Sequence, residues 1–142
     1  MTASDAAAPV QAWLSTLDED DLRDLLDDAM ARVPGLAEWL DSRRVTDSND
    51  PADLHALVNR DLAPHRRFYD YHAANQYANE AYDTVQIVRE RAEQAPPALL
   101  PVIERAITLT TRAILKSDDS SGLQGDLVRT LLEAHAVAVA TA

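Results

Sequence analysis

Apolar residues return along this chain every three or four positions, the spacing of an amphipathic helix, and they rarely alternate as a strand requires. Val10, Trp13, Leu14 and Leu17 predict a short first helix. Glu19 to Val33 predict a second. On a wheel of about 100° per residue, Leu22, Leu25, Leu26, Ala29 and Val33 share roughly a third of the circle, and Asp20, Asp21, Asp24, Asp27 and Asp28 lie opposite. Asp18 stands where the cap of that helix belongs. Pro34 stops it, and Leu36, Trp39 and Leu40 predict a third helix that ends near Arg43 and Arg44.

The turn-rich run "VTDSNDP" comes next. Asn49 or Asp50 can cap, Pro51 suits a first helical turn, and Leu54, Leu57, Val58 and Leu62 carry a fourth helix to Pro64. The longest helix spans about Asp70 to Glu93, with Ala74, Tyr77, Ala78, Ala81, Tyr82, Val85, Val88 and Ala92 as its stripe and Ile87 on the other side. After the break "QAPPALLP", Pro101 falls in the first turn of a sixth helix bearing Leu99, Leu100, Ile103, Ala106, Ile107, Leu109, Ala113 and Ile114. Leu123, Leu127, Leu131, Ala134 and Ala138 form a seventh. The fold class is therefore all-α, with about seven helices as antiparallel hairpins or a bundle, and TPR- or HEAT-like pairing as one form of it. Short links make the fifth, sixth and seventh helices antiparallel neighbours. Residues 1–9 read as a disordered tail and 10–142 as a single helical domain, with an acidic lobe over 10–48 and the main bundle over 49–142.

Charge changes this picture in one respect. The net charge is −11, and it is uneven: residues 1–53 hold 13 acids and 4 bases, residues 54–142 hold 11 acids and 9 bases. A partner that senses charge meets it at the front. An acidic chain repels a phosphate backbone, so direct nucleic-acid binding is not expected. Arginine dominates the bases, with Lys116 the one lysine, which suits a GC-rich bacterial genome. The length suffices for a core without metal or disulfide. The absence of cysteine removes thiolate zinc sites and suits the cytoplasm. No apolar run approaches the roughly 20 residues of a membrane helix, and the start lacks the basic and apolar pattern of a signal peptide.

Candidate chemistry centres on "KSDDSSGLQGDL", Lys116 to Leu127. Set in an EF-hand register with Gly122 at the sixth position, it puts Ser117 first and Val128 where glutamate is required, so the register fails. Gly122 to Gly125 spells GxxG, but acids surround it where a nucleic-acid clamp needs bases. The remaining reading is a helix start. Ser121 and Gln124 make a capping box, Gly122 and Gly125 shape the turn, and Asp118, Asp119 and Asp126 sit near the positive end of the helix dipole. His55, His65, His72 and His135 show no metal spacing, and His135 lies at the edge of an apolar stripe as a partly buried structural residue. No nucleophile has a base at motif spacing, so neither catalysis, metal nor cofactor is expected. Two surfaces are candidates for a protein partner: Arg66, Arg67, Tyr69 and Tyr71, and the acidic face of Asp20, Asp24, Asp27 and Asp28.

Two segments carry a resemblance. "RRFYDYHAANQYANEAYDTVQIVRERAE" has Phe68, Tyr71, Ala74, Tyr77 and Ala78 in the pattern that opens a long helix in the helical region of bacterial SWIM zinc-finger proteins. "AILKSDDSSGLQGDLVRTLLEAHAVA" is similar to the second half of that region, through Asp118, Asp119, Ser120, Gly122, Gly125, Asp126 and His135. "LRDLLDDAMARVPGLAEWLDSR" resembles the leucine-rich hairpin of the same proteins, so the likeness covers about residues 20–138. The SWIM zinc module needs cysteines, and this chain has none, so zinc is not carried over. The resemblance implies a free-standing, non-enzymatic interaction or scaffolding module, a subunit or regulator of a larger bacterial assembly. An acidic inhibitor or decoy of a basic DNA-binding protein and a nucleic-acid-associated accessory protein are the alternatives. Self-association is left open.

Overall fold

Asp18, Asp50 and Asp70 each stand one residue before a helix and turn a carboxylate back onto its first amides. Asp18 Oδ1 accepts from the Asp21 N–H at 2.8 Å, Asp50 Oδ1 from Ala52 at 2.9 Å, and Asp70 Oδ1 from Ala73 at 2.8 Å. Each satisfies an amide that the first turn leaves without an intrahelical acceptor. These caps set the starts of α2 (Glu19–Arg32), α4 (Pro51–Leu62) and α5 (Tyr71–Ala92). The remaining helices are α1 (Ala3–Leu14), α3 (Leu36–Asp47), α6 (Leu100–Leu115) and α7 (Leu123–Thr141), with a 3₁₀ turn at Pro97–Leu99 before α6. The protein is described by a computed structural model over residues 3–94 and 97–141. Among the described residues there are seven helices and no strand, so the all-α class holds. None of the helices is long and apolar enough to cross a membrane.

α1 starts at Ala3, well before Val10, so helix takes in most of the stretch read as a tail. Alanines favour it, and Pro9 inside the helix removes one backbone donor without ending it.

The chain divides into two compact units, Met1–Asp41 and Ser42–Ala142. The division falls inside α3 rather than after residue 48. The reason lies in the last turn of α3: Val45 is buried in the core of the second unit, and the Arg91 guanidinium donates to the carbonyls of Val45, Thr46 and Ser48. A cation at the end of a helix satisfies carbonyls that have no intrahelical donor.

In the front unit no described residue is buried. Leu22, Leu25 and Ala29 are half-buried, and Leu26, Val33, Trp13 and Trp39 are exposed. α2 holds its shape by local means: the Asp18 cap and the pairs Glu19–Arg23 and Asp28–Arg32, each at 2.9 Å and four residues apart.

The second unit is a four-helix bundle. Leu54, Leu57, Val58 and Leu62 of α4, Ala74, Ala81, Val85 and Val88 of α5, Ile103, Ala106 and Leu109 of α6, and Leu131, Ala134 and Ala138 of α7 form one core. Ile87, which the helical wheel sets apart, is buried there too. Around the bundle the order is α4, α5, α7, α6, with α5 packed most extensively on α7. α6 and α7 are antiparallel neighbours, with His135 beside Glu104 and Gln124 bonded to Ser117. α5 and α6, although consecutive, stand across the bundle from each other. α5 and α7 lie side by side and parallel: Ser121, just before α7, bonds to Asn75 near the start of α5, and Ala78, Tyr82, Gln86, Leu123, Leu127 and Thr130 line a shallow groove of about 140 Å³ between them. The expectation that short links make all three antiparallel neighbours therefore fails for α5. Alanine-rich stripes on α5 and α7 let two parallel helices pack closely, and burial of those stripes outweighs adjacency in sequence.

Candidate docking surface at one end of the bundle

Tyr69 organises this end. It precedes the cap Asp70, so its backbone is extended and cannot take part in helical hydrogen bonding. Its N–H donates to the Lys116 carbonyl at 2.7 Å, and its carbonyl accepts from the Asp118 N–H at 2.8 Å. The result is an isolated parallel bridge between Tyr69 and Ser117. It ties the α4–α5 link to the α6–α7 link. The Tyr69 hydroxyl accepts from the His65 N–H at 2.7 Å, and its ring meets Tyr77 edge-on at 5.6 Å.

Tyr69 is therefore core, 5% exposed, and does not belong to the surface that the sequence groups with Arg66, Arg67 and Tyr71. The physical reason is a change of period. Extended backbone sends successive side chains to opposite sides, so Phe68 points out, 63% exposed, while Tyr69 points in. A cap at Asp70 implies that extended stretch, and alternation before it was the available signal. Tyr82 also departs from expectation: it lies on the exposed rim of the α5–α7 groove, while Tyr77 is buried. Tyr77 donates to the Leu62 carbonyl at 2.5 Å, and burial raises its phenol well above the ordinary value of 10.0.

The run from Lys116 to Leu127 caps α7, with a different division of labour from a Ser121–Gln124 box. Asp119 takes both free amides, Oδ1 from Gln124 N–H and Oδ2 from Gly125 N–H, each at 3.0 Å. A carboxylate offers two separate oxygens, so each amide has its own charged acceptor. Ser121 Oγ instead donates to Asn75 Oδ1 on α5 at 2.6 Å and is 3.4 Å from the Leu123 N–H. The Gln124 side chain does not reach back to a cap. It is buried and donates to Ser117 Oγ at 3.1 Å, leaving Oε1 without a hydrogen-bond partner. Gly122 adopts φ +78°, a left-handed conformation that favours glycine. Asp118 accepts from the amide and hydroxyl of Ser120, and Asp126 stands 3.7 Å from Arg129. Among the described residues, no three His, Asp or Glu side chains gather as a metal site would need.

What this end exposes is mixed. Arg66 and Arg67 follow α4, Phe68 and Tyr71 flank the bridge, and the last turn of α6 presents Arg112, Leu115 and Lys116 on one face. Leu115 is 81% exposed, and Lys116 carries the carbonyl that binds Tyr69. Among the described residues Arg66, Arg67, Arg112 and Lys116 take no carboxylate partner. Arg66 lies 5.9 Å from the centre of the Tyr69 ring, within cation–π range. Sequence reasoning missed Arg112, Leu115 and Lys116 as members of this surface. Leu115 could have been found by its place outside the α6 stripe.

The acidic residues of α2 are all exposed. Asp28 pairs with Arg32, and Asp20, Asp24 and Asp27 take no cation among the described residues. His135 is half-buried, its Nε2 3.3 Å from Glu104 Oε1, a role in packing α7 on α6.

In comparison with known proteins, the chain matches no family model, no curated protein and no solved structure.

Proposed function

We propose that this chain is a non-enzymatic helical interaction module, a cytoplasmic subunit or regulator of a larger bacterial assembly, which docks a protein through the end of its bundle. The observation that carries this reading is the surface around the Tyr69–Ser117 bridge. Cations without ion-pair partners among the described residues border Phe68, Tyr71 and Leu115 in a chain of net charge −11. Apolar side chains framed by unpaired charge are the usual make-up of a protein-binding patch. The rigid hydrogen bonds beneath give that patch a fixed shape.

The same reading includes kinship with the helical region of bacterial SWIM proteins. It is supported by the sequence likeness of the two segments, which hold Phe68, Tyr71 and Tyr77 and then Asp118, Gly122, Gly125 and His135. The test is affinity capture with the full chain from its native lysate, repeated with Arg66→Glu, Arg67→Glu and Phe68→Ser combined. The substituted chain keeps its helical circular dichroism and loses the captured protein. Undiminished capture removes this surface from the reading.

A second reading, an acidic decoy for a basic DNA-binding protein, is favoured by Asp20, Asp24 and Asp27, which stand on one face of α2 without cations. Their replacement by asparagine abolishes binding to such a protein under that reading and leaves bundle-end docking intact.

A further inference from the structure

From the charge on the two surfaces we infer that the partner of the bundle end is the α2 helix of a second copy of this chain, so that copies associate head to tail. The inference rests on the bundle-end reading above and names its occupant. Three observations carry it.

The first is charge. The front unit holds 10 acids and 2 bases, a net charge of −8, whereas the bundle end carries four cations that lack carboxylate partners among the described residues, beside Asp70, Asp118 and Asp119, whose oxygens are engaged in helix caps and a turn. The second is frustration within α2. Asp20, Asp24 and Asp27 recur at helical spacing on one face, and like charges three and four residues apart weaken a helix. A cationic surface laid against that face removes the penalty. The third is weak tertiary support. α2 is 14 residues long and has no buried residue, and helices of that length are marginal alone in water. Its acidic face borders its apolar one, with Asp21 one turn from the half-buried Leu25. One side of the helix thus offers carboxylates with an apolar edge, matching a surface on which Arg66, Arg67 and Lys116 border Phe68 and Leu115.

The two surfaces are different patches, so every copy offers one of each, and association continues until the assembly closes on itself. Being largely electrostatic, it weakens as salt shortens the screening length.

The experiment is sedimentation velocity or light scattering on the full chain across a concentration series, at about 0.02 M and about 0.5 M salt. The wild type is expected to exceed its single-copy mass of 15.6 kDa as concentration rises in low salt, and to return to it in high salt. Arg66→Glu with Arg67→Glu, and separately Asp24→Lys with Asp27→Lys, each weaken association by about tenfold or more, because like charges then face each other. All four positions are exposed, and circular dichroism verifies the helical content of each variant. Mixing the two variants restores association, since the reversed charges meet. A wild type that stays at the single-copy mass in low salt overturns the inference. So does self-association that neither variant weakens, or a mixture that fails to recover it. If the chain stays a single copy while capture of another protein still depends on Arg66 and Arg67, this inference falls and bundle-end docking stands.

Discussion

Replacing Asp119 with alanine tests how this fold starts its last helix. Two hydrogen bonds of 3.0 Å are lost, one to each of two adjacent amides. Gln124 is buried, so its N–H is left without water to replace the carboxylate. An orphaned buried donor costs about 1–3 kcal/mol, and loss of a cap with its favourable charge at the helix N-terminus is worth about 1 kcal/mol. These overlap, and a loss of about 2–3 kcal/mol is expected from their combination. At about 4 °C or more per kcal/mol for a unit of this size, the melting temperature falls by about 10 °C. Asp119→Asn keeps one acceptor and loses roughly half as much. Ser121→Ala is the control. Its contact with the Leu123 N–H is 3.4 Å long and its 2.6 Å bond to Asn75 Oδ1 is exposed, so the change stays within about 1 kcal/mol. Urea unfolding followed by circular dichroism measures all three. If Ser121→Ala costs as much as Asp119→Ala, or if Asp119→Ala is within about 0.5 kcal/mol of wild type, the cap assignment is refuted.

Tyr77 has its phenol raised by burial, so its contribution to stability is complete below the ordinary phenol value of 10.0 and is lost as pH rises toward the folded value. Tyr77→Phe, which also leaves the Leu62 carbonyl without its donor, lowers stability by about 1–2 kcal/mol at neutral pH and flattens the alkaline fall in a urea-midpoint series against pH. Arg91→Ala strips the carbonyls of Val45, Thr46 and Ser48 of their shared donor; calorimetry should record a loss of about 1–3 kcal/mol, with an undisturbed melting temperature counting against the assignment. Gln124→Met removes a buried oxygen that has no partner, so chemical denaturation should show equal or greater stability, by up to about 1 kcal/mol; a clear loss would mean that the Ser117 bond outweighs the orphaned oxygen.

Local chemistry made much of this protein legible in the sequence. Asp18 and Asp50 are caps because aspartate before an apolar period satisfies free amides, and this needs only neighbours in the chain; Asp70 caps in the same way, although the helical period alone places it inside α5. The apolar stripes of α4, α6 and α7 became the core for the same reason of period. The acidic face of α2 and the exposed Arg66 and Arg67 were equally readable, since charge stays at the surface when nothing buried can pair it. Tertiary structure decided the rest. Asp119 rather than Ser121 holds α7, because its two charged oxygens each meet one amide and Asn75, distant in sequence, draws Ser121 away. Tyr69 left the surface because two links far apart in the chain pair through its backbone, and an extended residue alternates where a helical one would not. α5 chose α7 over α6 because packing area is set by which stripes fit in space, and no local signal encodes that choice. The sequence by itself determined the helices, the caps of α2 and α4 and the place of charge. Only the fold determined which helices touch, and so which cations and apolar side chains meet at one end of the bundle.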